Sequence, residues 1–80
     1  MNYLFLDNGF EEIEAITTID LLRRAQIEVT TVSVTGRQMV MGAHNIPVAA
    51  DDLIENLDFA DAQMLILPGG ATHLEQYEAL

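Results

Sequence analysis

The sequence predicts an α/β fold, a doubly wound and mostly parallel sheet, and three observations carry that expectation. Asn2–Leu6 and Ala62–Leu67 are runs that are apolar but for Asn2 and Gln63 and too short for helices, the pattern of strands covered on both faces. Ile27–Val34 is rich in β-branched residues and alternates Val, Thr and Ser, as a further strand does. Between the first and second of these lies a segment with helical spacing of apolar residues, so the chain runs β-α-β, the order that gives parallel pairing through a right-handed crossover.

Taken in order, the first strand, Asn2–Leu6, is broken by Asp7-Asn8-Gly9. From Glu11 to about Ala25, the apolar residues Ala15, Ile16, Ile19, Leu22 and Ala25 share one arc of a helical wheel, the face expected to cover the sheet. Glu11, Glu12 and Glu14 in the first turn, and Arg23 and Arg24 in the last, oppose the helix macrodipole at both ends. Ile27–Val34 follows as a strand parallel to the first and stops at Gly36. Met39–Met41 and Ile46–Ala49 flank Gly42-Ala43-His44-Asn45 and predict a short edge hairpin, where Pro47 is tolerated because an edge strand has unpaired positions. Asp51 to about Leu57 is expected as a helical turn or short helix. Ala62–Leu67 is the third parallel strand, ended by Pro68-Gly69-Gly70, and Ala71–Leu80 begins a last helix.

Composition narrows the function classes. Eighty residues, half of them hydrophobic, suffice for one small domain. The formal charge of −10, with arginine as the sole basic residue besides histidine, disfavours nucleic acid and anionic membrane surfaces as partners. No run approaches the roughly 20 apolar residues of a membrane span, and the amino terminus lacks a signal-peptide pattern, so a cytoplasmic protein is expected. Cysteine is absent, which removes disulfides, thiolate metal sites and a cysteine nucleophile from these residues. Asp51-Asp52 with Glu55 lacks the alternating oxygen ligands of a calcium loop, and paired histidines for zinc are missing, so neither a metal nor a cofactor is expected. A phosphoacceptor receiver domain fits the α/β order and has Asp7 at the end of the first strand, yet there is neither a second acid beside Asp7 nor a lysine to contact phosphate. A Gly-x-x-x-x-Gly-Lys nucleotide loop is likewise absent.

The turn from Leu6 into the helix is the segment to watch, since ligands of open α/β sheets gather at the carboxyl ends of strands. Counting layers adds a second expectation. Strands that read as buried on both faces need more cover than one good helix and one short one provide. The chain is therefore expected to be the amino-terminal half of a larger domain, completed by further sequence, a second chain or self-association.

Five segments, Gly9-Phe10-Glu11-Glu12-Ile13-Glu14-Ala15, Asp20–Ala25, Ser33-Val34-Thr35-Gly36, Gly42–Asp51 and Leu65–Gly70, together resemble the DJ-1/ThiJ/PfpI family, in order and over nearly all of the chain. The resemblance implies a flavodoxin-like α/β sandwich, usually homodimeric, within the class I glutamine amidotransferase-like superfamily. Residues 1–80 then correspond to the amino-terminal part of one such domain. It also implies a cysteine nucleophile on a strand-to-helix elbow further along than Leu80, so this chain holds half a site. Glu14 matches the family's glutamate, whose protonated form donates a hydrogen bond to the cysteine sulfur and so lowers the thiol's pKa. The alternative is that Glu14, like Glu11 and Glu12, only answers the helix dipole. Gly69 and Gly70 follow an apolar strand, and the resemblance assigns their backbone N–H groups to an oxyanion hole, with Ala71 lining the same rim. His44 is an accessory residue near the pocket mouth in this reading or a plain exposed loop residue; His73 has no motif support. Gln26 stands where family members often have glycine, so a local adjustment is expected at the helix end.

Ile13, Thr17 and Leu21 form a second stripe on the helix, with Arg24 beside it, turned away from the sheet. Packing under a loop would account for it; the resemblance favours a homodimer contact. Two functions remain in competition. One is cysteine-dependent hydrolase, glyoxalase or deglycase chemistry on small carbonyl compounds or their protein adducts, with redox-stress or chaperone roles proposed in the same family. The other is a non-catalytic interaction or complementation fragment.

Overall fold

The computed structural model describes residues 1–70. Its main sheet has four strands in the order β5-β2-β1-β6, where β1 is Asn2–Leu6, β2 Val29–Ser33, β5 Asp52–Leu53 and β6 Met64–Ile66. Every pairing in this sheet is parallel, with Leu4 opposite both Thr31 and Ile66. The expected α/β class is therefore what forms.

Strand β1 explains why the sheet closes on two cores. All five of its residues are buried, and their alternation sends Leu4 and Leu6 to one face and Tyr3 and Phe5 to the other. On the first face Leu4 and Leu6 meet Phe10, Ala15, Val29 and Val40, and helix α1 (Glu12–Arg24) lays Ile19 and Leu22 over them. The second face carries Val32 and Val34 and is covered by a connection bearing Ile54, Leu57 and Phe59. There the Phe59 ring stands edge-on to Tyr3 with centroids 4.8 Å apart.

Several expectations need correction. The helix face on the sheet is Glu12, Ala15, Ile19 and Leu22, whereas Ile16 and Ala25 point to solvent. The buried Glu12 side chain takes the first place on that face, against the turn that carries His44 and Ile46. A helical turn was expected over Asp51–Leu57. Instead β5 pairs with β2 before a single 3₁₀ turn, Ile54–Asn56. The cause lies in Thr31 and Asp51. The Thr31 amide donates to the Asp51 carboxylate at 2.9 Å, and the Asp51 amide donates to Thr31 Oγ1 at 2.8 Å, which holds the chain extended beside β2. Arg23 donates to the same carboxylate at 2.9 Å.

The hairpin forms as expected in sequence, from β3 (Met39–Met41) and β4 (Pro47–Ala49), antiparallel with Val40 opposite Val48. It is a two-stranded sheet of its own instead of an extension of the main one. Strand β6 is shorter than the apolar run that predicts it, and Met64, Leu65 and Leu67 are exposed. The expected burial on both faces therefore does not hold at this edge of the sheet.

Helix α1 ends in a left-handed residue. Gln26 has φ +62°, its amide donates to the Arg23 carbonyl, and the Ile27 amide donates to that of Leu22. This is the Schellman arrangement, reached without glycine. The last predicted helix, Ala71–Leu80, lies outside the described residues, and no helix among those described is long and apolar enough to cross a membrane.

Candidate functional site

Because β1 and β6 run parallel and adjacent, the bends that follow them open on the same edge of the sheet. The first bend, Asp7–Glu11, delivers α1; the second is Pro68-Gly69-Gly70. The two are stitched together: the Glu11 amide donates to the Gly69 carbonyl at 2.8 Å, and Phe10 forms an antiparallel bridge with Gly70. Across this seam the Gly69 amide donates to Glu14 Oε1 at 2.9 Å. Glu14 is exposed, so its carboxylate sits at the open surface of the gap.

Close approach accounts for the glycines. A Cβ on Gly69 would run into the Glu14 carboxylate. Gly70, at φ +111°, would put a Cβ against the Gly9 carbonyl, 2.8 Å from the Glu11 amide nitrogen and 3.0 Å from the Phe10 carbonyl carbon. Only a residue without a side chain fits there.

On its other side Phe10 bridges Gly42, and the Ala43 amide donates to the Phe10 carbonyl at 2.8 Å. The Gly9 amide donates to the Met41 carbonyl at 2.8 Å, while Asn8 Oδ1 accepts from the Met41 amide at 3.1 Å. The backbone of Phe10 is thus the middle member of a three-part seam, with the hairpin on one side and the Gly-Gly turn on the other. Phe10 as a whole is 1% exposed and anchors the seam in the core.

The hairpin turn carries His44, which meets Glu12 instead of Glu14. Nδ1 of His44 lies 2.8 Å from Glu12 Oε1, and the His44 and Ile46 amides donate to Oε2 at 2.7 and 3.4 Å. The Glu12 side chain is 7% exposed and that of His44 68%. Burial alone raises the pKa of the Glu12 carboxyl; the bonds from the His44 ring and from the backbone amides of Glu12, His44 and Ile46 outweigh it and bring it down to about 2. The bond to Glu12, with the negative charges of Glu12 and Glu11, raises the His44 pKa above 6.5. Glu11, Glu12 and His44 also place three potential metal-donor atoms within 4.8 Å of one another. Glu12's oxygens are already engaged by the imidazole and the amides, and the positive end of α1 opposes a cation, so these bonds account for the cluster without an ion.

Of the residues singled out in the sequence, the structure brings Glu14 together with Gly69, seats Gly70 on the adjoining Phe10 bridge, and pairs His44 with Glu12 at the first turn of α1. Ala71 and His73 lie outside the described residues. Ile13, Thr17, Leu21 and Arg24 all sit on the outer surface of α1, Ile13 74% and Leu21 60% exposed, with Arg24 paired to Asp20 at 3.0 Å. Glu12 was missed as a buried residue. Its spacing of three to Ala15 and seven to Ile19 is the signal that could have found it. A hollow of about 440 Å³, lined by Met1, Arg23, Gln26, Ile27 and Val29 among others, lies at the opposite end of the strands. Its one guanidinium, Arg23, is committed to Asp51 and the Val29 carbonyl.

Comparison with known proteins identifies the family and agrees with the fold. Residues 2–80 match the family model described as the DJ-1/PfpI family. Protein DJ-1 homolog B of Arabidopsis thaliana is 36% identical over 63 residues, which cover 79% of this chain and 14% of that protein. Protein dj-1beta of Drosophila melanogaster is 31% identical over 67 residues, 84% of this chain and 36% of that protein. Among solved structures, oxidized Toxoplasma gondii DJ-1 superposes with a TM-score of 0.84 at 34% identity, covering 92% of this chain and 40% of its own. A mutant of a DJ-1 superfamily protein from Salmonella typhimurium gives 0.81 at 40% identity, covering 85% of this chain and 37% of that one. The chain spans well under half the length of each of these relatives.

Proposed function

The chain belongs to the DJ-1/PfpI family, and from that premise we propose that it contributes the acid and the glycine turn of a cysteine-dependent site acting on small carbonyl compounds or their protein adducts. The observation that supports this reading is the 2.9 Å bond from the Gly69 amide to Glu14 Oε1, at the carboxyl ends of adjacent parallel strands. The sulfur itself belongs to residues outside these 80, which hold no cysteine.

The bond assigns roles within the carboxyl group. An oxygen that accepts from a backbone amide favours staying an acceptor, so a proton taken up by Glu14 goes to Oε2, the oxygen left to donate to a thiolate. The thiolate then adds to the substrate carbonyl carbon, the C–S bond forms, and the π electrons pass to the carbonyl oxygen. A backbone amide of the Gly-Gly turn stabilises that oxyanion. Since the Gly69 amide is held by Glu14, the oxyanion role within the pair falls to Gly70, with Ala71 beside it. His44 is an accessory group at the mouth, and the outer face of α1, with Ile13, Thr17, Leu21 and Arg24, is the contact to a second copy.

A complementation fragment without turnover is the second reading. It is favoured by the exposed Met64, Leu65 and Leu67 at β6, a surface suited to another strand. One experiment separates the two. The chain is mixed with a polypeptide corresponding to the remaining length of its relatives and bearing the cysteine, and loss of methylglyoxal is followed. Turnover that appears on mixing and disappears with Glu14→Ala supports the catalytic reading. Association without turnover establishes the second.

A further inference from the structure

The Glu12–His44 contact lies outside the proposed chemistry yet is wired into it by backbone. From His44 the path runs through Ala43 to the Phe10 carbonyl, from Phe10 to its bridge with Gly70, and from the Glu11 amide to the Gly69 carbonyl. Gly69 in turn holds Glu14. The path consists of backbone contacts, so the hairpin and the Gly-Gly turn share Phe10 as a common neighbour.

We propose that Glu12 and His44 form a proton-operated latch, which seats the β3–β4 hairpin on the first turn of α1 and thereby sets the position of Gly69 against Glu14. Glu12 is the fixed half. Its carboxylate is buried, two backbone amides of the hairpin turn orient Oε2, and Gly42 is confined to glycine because a Cβ there would strike the same carboxylate. His44 is the movable half, on an exposed turn with its ring free to exchange protons with water.

The charged groups facing the imidazole are Glu12 at 2.8 Å and Glu11 at 3.9 Å, both at the start of α1. Glu14, half a turn further along, is engaged by Gly69, and the Asp7 carboxylate below the bend is buried and holds the Asn8 amide at 2.8 Å. The hairpin adds no acid of its own between Met39 and Ala49. Protonated His44 joins the buried carboxylate by a hydrogen bond between opposite charges; neutral His44 keeps a hydrogen bond to the carboxylate but loses the ion-pair attraction. Because the folded pKa lies above 6.5, the latch is fully closed below 6.5 and loosens as pH rises through the folded value.

The inference does not depend on what the gap binds, and its test needs no substrate. The 80-residue chain is labelled with ¹⁵N, His73→Gln is introduced in every sample so that one imidazole titrates, and spectra are taken from pH 5 to 9. The expected result is a single midpoint above 6.5, shared by the His44 ring and the amides of Gly42, Ala43 and Gly69. In Glu12→Gln the ring midpoint falls toward 6.5. His44→Gln, a surface change that leaves the fold intact should the Glu12 variant fail to fold, abolishes the concerted shift at Gly69. A Gly69 amide that ignores the His44 midpoint, or one that keeps the same pH-dependent shift in His44→Gln, overturns the proposal.

Discussion

Glu14 and Gly69 are 55 residues apart in sequence, yet the amide of one donates to the carboxylate of the other at 2.9 Å across the seam between two strand-ending bends. The contact makes the two glycines of the turn unequal, and substitution should expose the difference.

Gly69→Ala meets only the far end of a flexible side chain, so Glu14 swings away and the fold survives with a loss of about 0.5 kcal/mol or less. Gly70→Ala meets backbone at a left-handed φ and is expected to cost about 3 kcal/mol. Urea unfolding of the two variants checks the ranking. Equal losses would mean that the turn is not crowded as described.

Gln26 offers a gain. It holds the left-handed position at the end of α1 that glycine occupies without a Cβ penalty. Gln26→Gly is expected to stabilise by about 0.5–1 kcal/mol, the relief exceeding the added unfolded-state entropy, and to raise Tm by about 3–6 °C. Calorimetry of the two proteins measures it.

Asp51 gives an acid-side dependence. Partial burial pushes its pKa up, but the Thr31 amide and hydroxyl and the Arg23 guanidinium hold it below 3.8. A carboxyl depressed on folding contributes stability above its unfolded pKa and loses it as pH falls through the folded one. Urea midpoints should therefore fall between pH 4 and 2 more steeply in the parent than in Asp51→Asn. Arg23 and Asp51 are about half exposed, so the ion pair itself adds little.

Leu21→Glu addresses the outer face of α1. Leu21 contributes nothing to either core, and the substitution is expected to leave helix content and stability near the parent values while abolishing self-association. Light scattering and circular dichroism on one sample read both quantities. An unchanged mass in a self-associating parent would remove α1 from the contact.

Legibility in the sequence followed the range of the forces involved. β1 and α1 were legible because apolar pattern and terminal charge are local, and the same is true of the Gly-Gly turn after β6. The partnership of Thr31 with Asp51 is 20 residues long and turns a stretch with the marks of a helical start into strand β5. Glu12 was hidden for a related reason. A glutamate in a first turn is already explained by the helix dipole, and its burial is imposed by a hairpin 32 residues away. Ile16 was assigned inward because a wheel counts apolar residues and gives no weight to a buried acid competing for the same face.

Among the described residues strand β6 forms one border of the main sheet, and Met64 and Leu65 within it, with Leu67 just after it, are open to water. A border of that kind is a template for pairing edge to edge with another chain, and natural sheets guard it with lysine or proline. Neither occurs within the strand, so what opposes edge-to-edge pairing there is the charge of −10 carried by the chain as a whole. Colloidal stability of the chain therefore rests on ionic strength and acidity, and it should fail first, as turbidity, when salt screens that repulsion or acid neutralises it.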